Sequence, residues 1–198
     1  MKQLISSLSI FAAAALMNLF TACGGNSETQ KDSADSLAVS AKARTMYIDN
    51  INAAEKRMRA DQTFNSKTAL EALKAYTDFT TLYPKDSLTA DYLFKAGQVA
   101  ESTGNYKQAA IYLETILDQH KGYKEYAAAC FYTANLYDNH LENVDNGAAR
   151  AKQLYEFIIS KYPGTKWAED SKVLMSFIGK SDDQLMEEII KKSQQKAK

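Results

Sequence analysis

The chain has 198 residues, with 24 Lys and Arg balancing 24 Asp and Glu. That balance argues against a nucleic-acid-binding protein, which needs a surplus of cations on one face. Apolar residues make up 45% of the chain, enough for one packed domain plus a removable or flexible segment, and only two Pro and eight Gly leave room for long helices.

The chain opens with Lys2, an apolar stretch from Leu4 to Phe20 spotted with Ser6, Ser7, Ser9 and Asn18, then Thr21, Ala22 and Cys23. A positive start, an apolar run and small residues before a cut describe a secretory signal peptide over residues 1–22. A transmembrane helix needs about 20 predominantly apolar residues. This run is shorter and is followed by Gly24 and Gly25. The stretch Phe20-Thr21-Ala22-Cys23-Gly24 resembles the lipobox of bacterial lipoproteins, with Phe20 where that family usually has Leu. The resemblance implies cleavage before Cys23 and acylation of it. Two or more acyl chains hold a protein stably on a membrane. Cys130 is then the remaining thiol, expected to behave as a small apolar core residue.

Residues 23–40 form the expected tether. Gly24 to Ser40 has no aromatic residue and little to bury, which predicts disorder. A flexible segment of that size spans on the order of 20 Å.

From Ala41 the apolar spacing turns helical. Leu70, Leu73, Tyr76 and Phe79-Thr80 share one face, as do Ala109, Leu113, Ile116 and Leu117, and Ala151, Leu154, Tyr155 and Ile158. No segment sustains the period-two alternation of a strand, so the expected fold class is all-α. An internal repeat organises these helices. Ala72, Ala109 and Ala151 head aligned columns, spaced 37 and 42 residues apart. Four residues on stand Tyr76, Leu113 and Tyr155, and seven on stand Phe79, Ile116 and Ile158. Eleven on stand Tyr83, His120 and Tyr162, followed by Pro84, Lys121 and Pro163. Both prolines of the chain fall in one column. A helix pair accounts for the pattern: a small residue where helix A crosses helix B closely, large residues in the groove between repeats, and Pro to stop helix B.

The spacing resembles the tetratricopeptide repeat. In the middle unit Leu93, Ala96, Gly97, Ala100, Gly104, Tyr106, Ala109, Leu113 and Ile116 occupy the motif positions without a gap. The third unit runs from Ala127 to Pro163, with a longer inter-helix turn around Leu141 to Asn146, and His140 is expected to lie in that long turn. The first unit has helix B over Lys67 to Tyr83 and a helix A within Thr45 to Arg59 whose register the sequence leaves open. Thr165 to Ile178 reads as a closing helix anchored by Trp167. The resemblance implies a right-handed α-solenoid of about three helix pairs over residues 41–180, plus C-terminal capping helices. In residues 181–198, Ser181 to Gln184 forms a capping box. Leu185, Met186, Ile189 and Ile190 follow on one face, before Lys191, Lys192, Lys196 and Lys198. That helix either packs on the last repeat or touches lipid or a partner through its cations.

Tyr83-Pro84-Lys85-Asp86-Ser87 with Ala90, and Tyr162-Pro163-Gly164-Thr165 with Ala168, resemble the BamD family of outer-membrane assembly lipoproteins. They are also similar to the tetratricopeptide domain of the periplasmic protein that works with the Tol-Pal system. The resemblance covers Lys67 to Met175. It implies a lipid-anchored adaptor on the outer membrane, facing the periplasm or the surface, that binds other envelope proteins or peptides. A Tol-Pal-linked or self-oligomerising structural lipoprotein is the alternative.

No P-loop, Gly-x-Ser-x-Gly, Cys-x-x-Cys or His-x-x-x-His is present in the sequence. His120 and His140 stand apart, so neither a metal nor another cofactor, nor a small-molecule substrate, is expected, and the protein is read as no enzyme. Aligning Ala90 with Ala127 pairs Phe94 with Phe131, Gln98 with Asn135, and Glu101 with Asp138. In the repeat family these offsets face the binding groove. The resemblance therefore implies two copies of a ring, an amide and an acid, suited to a segment that is apolar and basic. The rings serve equally well as packing between A helices.

Overall fold

The structure is a computed structural model that describes residues 28–144, 146–178, 180, 183, 184, 186–188, 190 and 194. Among these residues every element is helical: α1 (Glu28–Ala60), α2 (Ser66–Leu82), α3 (Thr89–Ser102), α4 (Tyr106–Gln119), α5 (Tyr126–His140), α6 (Gly147–Lys161) and α7 (Lys166–Met175). Residues 183, 184, 186–188, 190 and 194 are helical as well. The signal segment, Cys23, and Ser181, Leu185 and Ile189 of the C-terminal stretch lie outside the described residues.

The chain divides into two units, residues 1–40 and 41–198. In the first, the described part, from residue 28, is helical and opens α1. From Asn26 to Ala60 there is no Gly or Pro, and Ala, Leu, Lys, Glu and Gln recur. Little opposes the helix once its C-terminal half is formed, because extending a helix is far easier than nucleating one.

In the second unit α2 to α7 pack each on the next. Residues 41–60 of α1 join the same core through Ile51 and Ala54. Helix α2 is N-capped by Asn65, whose side chain accepts from the Lys67 N–H at 3.0 Å. Its buried stripe is Ala69, Ala72, Tyr76 and Phe79, with Ala75 and Thr80 beside it. Leu70, expected on that stripe, is 48% exposed. The small Ala69 takes the inward position and lets the neighbouring helix approach.

The three expected helix-B ends share one geometry. Tyr83, His120 and Tyr162 cap α2, α4 and α6 with φ near −125° and ψ of 57°, 47° and 48°. Each N–H reaches back to the carbonyl four residues earlier, on Phe79, Ile116 and Ile158. Each carbonyl then accepts from the N–H three residues on, at Asp86, Tyr123 and Thr165. A residue before Pro is pushed out of the α region, which accounts for Tyr83 and Tyr162. His120 precedes Lys121 and takes the same conformation, so the packing of the following helix also fixes the corner.

Burial sets the register that the sequence left open. On α3 the inward positions are Leu93, Ala96, Gly97 and Ala100, and on α5 they are Cys130, Thr133 and Ala134 with half-buried Tyr137. On α1 they are Ile51, Ala54 and Glu55 with half-buried Met58. Glu55 thus stands in the column of Gly97 and Ala134. Helices α3 and α5 run the same way, since Phe94 meets Tyr132 toward the middle of each and Glu101 meets His140 at their ends. His140 is the last residue of α5, one step earlier than the turn in which it was expected. In α7 the fully buried residues are Ala168 and Ser171, while Trp167 is half-buried against Phe131 and Tyr132.

Candidate functional site

The ring, amide and acid of each A helix follow the first inward position by one, five and eight residues. With the register fixed, α1 supplies a third set: Asn52, Lys56 and Arg59, beside Phe94, Gln98 and Glu101 on α3 and Phe131, Asn135 and Asp138 on α5. The charge at the last offset changes sign along the series, from Arg59 to Glu101 and Asp138.

The two rings are engaged within the chain. Phe94 lies 5.2 Å from Tyr132, edge to face, and 6.3 Å from Tyr123. Phe131 lies 5.1 Å from Trp167 and 6.0 Å from Tyr155. Each couples its A helix to the next elements of the array, and centroids at these separations attract beyond area burial alone. Both remain half-buried, so each offers outward only one edge of a packed cluster.

The acids and amides part company between the two units. Asp138 accepts from the Tyr155 hydroxyl at 3.5 Å, and Asn135 hydrogen-bonds the same hydroxyl. Burial, with Glu142 adding to it, raises the Asp138 pKa above the ordinary value against the opposing pull of Tyr155. Asn135 and Asp138 are therefore held inward. In the middle unit Leu113 occupies the column of Tyr155 and has no hydroxyl to offer. Glu101 lies 3.8 Å from His140 Nε2 instead, and the His140 ring stacks on Tyr106 at 3.9 Å and 5°. The expected pair of equivalent triads is thus two different arrangements.

Gln98 lines a groove of about 390 Å³ between α1, α2 and α3. Its apolar wall is Met58, Phe64 and Val99, and its polar side is Glu55, Arg59, Lys95, Gln98 and Ser102. Glu55 is only 9% exposed. It accepts from Lys95 Nζ at 2.7 Å, Arg59 Nη1 at 2.9 Å and the Tyr76 hydroxyl at 3.0 Å. Burial pushes its pKa up, but the hydrogen bonds from Lys95 and Arg59 outweigh that and hold the carboxyl below the usual range. Lys95 Nζ also lies 5.6 Å from the Tyr92 ring centroid. None of Glu55, Arg59 or Lys95 was singled out by sequence. The signal was an acid in a small-residue column, visible only once α1 is in register.

Cys130 is buried, and desolvation pushes its thiol up to about 12. Among the described residues no group of three His, Cys, Asp or Glu is placed to hold a metal ion. None of the described helices is long and apolar enough to cross a membrane. No protein-family model matches the chain, and no curated protein matches it either.

Proposed function

We propose that this chain is a lipid-anchored adaptor of the bacterial envelope, a tetratricopeptide-like right-handed solenoid whose A-helix face holds a segment of another envelope protein. Acylated Cys23 is the anchor, the outer membrane facing the periplasm is the location, and assembly of outer-membrane proteins, as in the BamD family, is the setting. The observation that carries the reading is the threefold recurrence of one inward pattern and one helix corner. Such an array places side chains at equivalent positions at regular intervals along the A helices, and binding an extended partner is the use such surfaces serve. The half-buried Gln98 and Glu101 are the side chains on that face with the most to offer a partner.

A photo-reactive residue at position 98, in the full lipidated chain, tests the surface. It is expected to cross-link an envelope protein, whereas the same group at the exposed Ile111 on helix α4 is expected to give none. Equal products from both positions would remove the A-helix assignment. A product made only of two copies of this chain would favour the self-oligomerising lipoprotein. Cys23→Ser tests the anchor and is expected to move the protein from the membrane to the soluble fraction.

A further inference from the structure

We propose that the groove between α1, α2 and α3 binds an acidic side chain of the partner segment, with a neighbouring apolar side chain seated on Met58, Phe64 and Val99. This rests on the adaptor reading and names the chemistry of one part of the partner.

Charge argues for the occupant. Three ionised side chains line the groove, Glu55, Arg59 and Lys95, and they sum to one positive charge. Glu55 is saturated, with three donors on its two oxygens and little surface left. The cations are not saturated. Arg59 gives Glu55 one of five N–H donors and Lys95 one of three, and their side chains are 66% and 43% exposed. The carboxylate of Glu55 thus holds two cations in fixed positions at the groove, with further donors turned to water. A second carboxylate docking there meets ordered partners and forms charge-assisted hydrogen bonds. A basic side chain meets two like charges and an acid already covered.

Two further observations fit the same occupant. Gln98 lines the groove and makes no hydrogen bond within the described chain, so its amide is available to the carboxylate or the adjoining backbone. Phe64, in the connection from α1 to α2, is 63% exposed at the groove wall beside Met58 and Val99. A large exposed ring next to positive charge suits a segment in which an acid neighbours an apolar residue. The sign change along the A helices adds direction. The acidic part of the partner lies over Arg59 and Lys95, and any basic part lies toward Glu101.

The test uses the full chain in detergent micelles and a fluorescent blocked pentapeptide, Ser-Phe-Glu-Phe-Ser, read by anisotropy. Saturable binding is expected, at least tenfold weaker when Gln replaces Glu in the peptide, and weaker as salt rises. Arg59→Gln should weaken it severalfold. The triple variant Glu55→Gln/Arg59→Gln/Lys95→Gln, which leaves no buried charge unpaired, should abolish the preference for Glu over Gln. Lys107→Gln, away from the groove, should leave binding unchanged. Equal binding of the Glu and Gln peptides, or wild-type binding by Arg59→Gln, overturns the proposal. So does a peptide with Gln inside and a free C-terminal carboxylate that binds as tightly as the Glu peptide, because the chain end is then the occupant. If position 98 cross-links an envelope protein while the Glu peptide shows no preference over Gln, the adaptor reading stands and this inference falls. Loss of the cross-link with the peptide preference intact removes the adaptor reading alone.

Discussion

A Cβ built on Gly147 would stand 1.8 Å from the Leu141 carbonyl oxygen and 2.7 Å from its carbon. Those are backbone atoms, which cannot swing aside as a side chain can. The neighbouring Asn146 already sits at φ 64°, a left-handed conformation that Asn tolerates better than most residues. Gly147→Ala is therefore expected to cost about 2–3 kcal/mol through forced backbone movement. Circular dichroism should show a thermal midpoint lower by roughly 5 °C or more. Gly122→Ala, with nothing within 4 Å of its Cβ, is the control and should change little. Acid titration separates two carboxylates of opposite sign. The depressed Glu55 pKa gives stability that is present above its unfolded value near ~4.3 and lost as pH falls through the lower folded value. The raised Asp138 pKa acts the other way, because the folded state binds that proton more tightly and ionisation opposes folding. Urea midpoints measured from pH 7 to pH 3 should accordingly fall less for Glu55→Gln than for wild type. Asp138→Asn should be stabilised at pH 7 and fall more steeply.

Between the helices of each pair the space is fixed by small residues. Ala72, Ala109 and Ala151 are fully buried, and a Cβ on Gly97 would come within 2.8 Å of the Leu113 side chain. Ala109→Leu overpacks that crossing and should cost about 1–3 kcal/mol, read as a lower urea midpoint with unchanged helical content. The corners predict a contrasting tolerance. Because His120 before Lys121 adopts the conformation of Tyr83 and Tyr162, Pro163→Lys should cost less than about 1 kcal/mol, the scale on which Pro acts through the unfolded chain. A larger loss would mean that Pro163 itself, not the seating of α7, sets its corner. These elements were legible in sequence because helix B repeats its large residues and its stop signal in fixed columns. Helix α1 was not, because Glu55 replaces a small residue and finds its partners on α2, on α3 and one turn along α1 itself. Residues 28–40 carry two opposing signals. Low hydrophobicity predicts disorder, yet the absence of Gly and Pro leaves nothing to stop a helix entering from the packed side. At the site, the ring, amide and acid recur in sequence, but a single change in the next helix, Leu113 to Tyr155, turns the last copy inward.

Among the described residues of 41–198 the buried side chains form two clusters. The smaller joins α1, α2 and the Tyr92, Ala96 and Val99 side of α3 through Ile51, Tyr76 and Phe79. The larger runs from Leu93 through α4, α5 and α6 to Ala168 on α7. Among the described residues Leu73 and Tyr112 pack against both clusters. In an array of this kind each unit contacts mainly its neighbours, so stability is close to a sum of local terms and opening need not be global. Ile51 is fully buried in the smaller cluster, and its truncation to Ala removes about 2–5 kcal/mol of transfer and cavity energy. That loss should fall mainly on α1 and α2. Native-state hydrogen exchange of Ile51→Ala is expected to accelerate about 30-fold or more for the amides of residues 51–82, the equivalent of roughly 2 kcal/mol. Amides of α5 and α6 should keep rates within a few-fold of wild type. The groove that holds Glu55, Arg59 and Lys95 then lies in the part that the substitution loosens, and a partner docked there is expected to slow its exchange. A uniform acceleration across all helices would show instead that Leu73 and Tyr112 couple the two clusters into one cooperative unit, and that a partner at the first groove stabilises the last helix as much as the first.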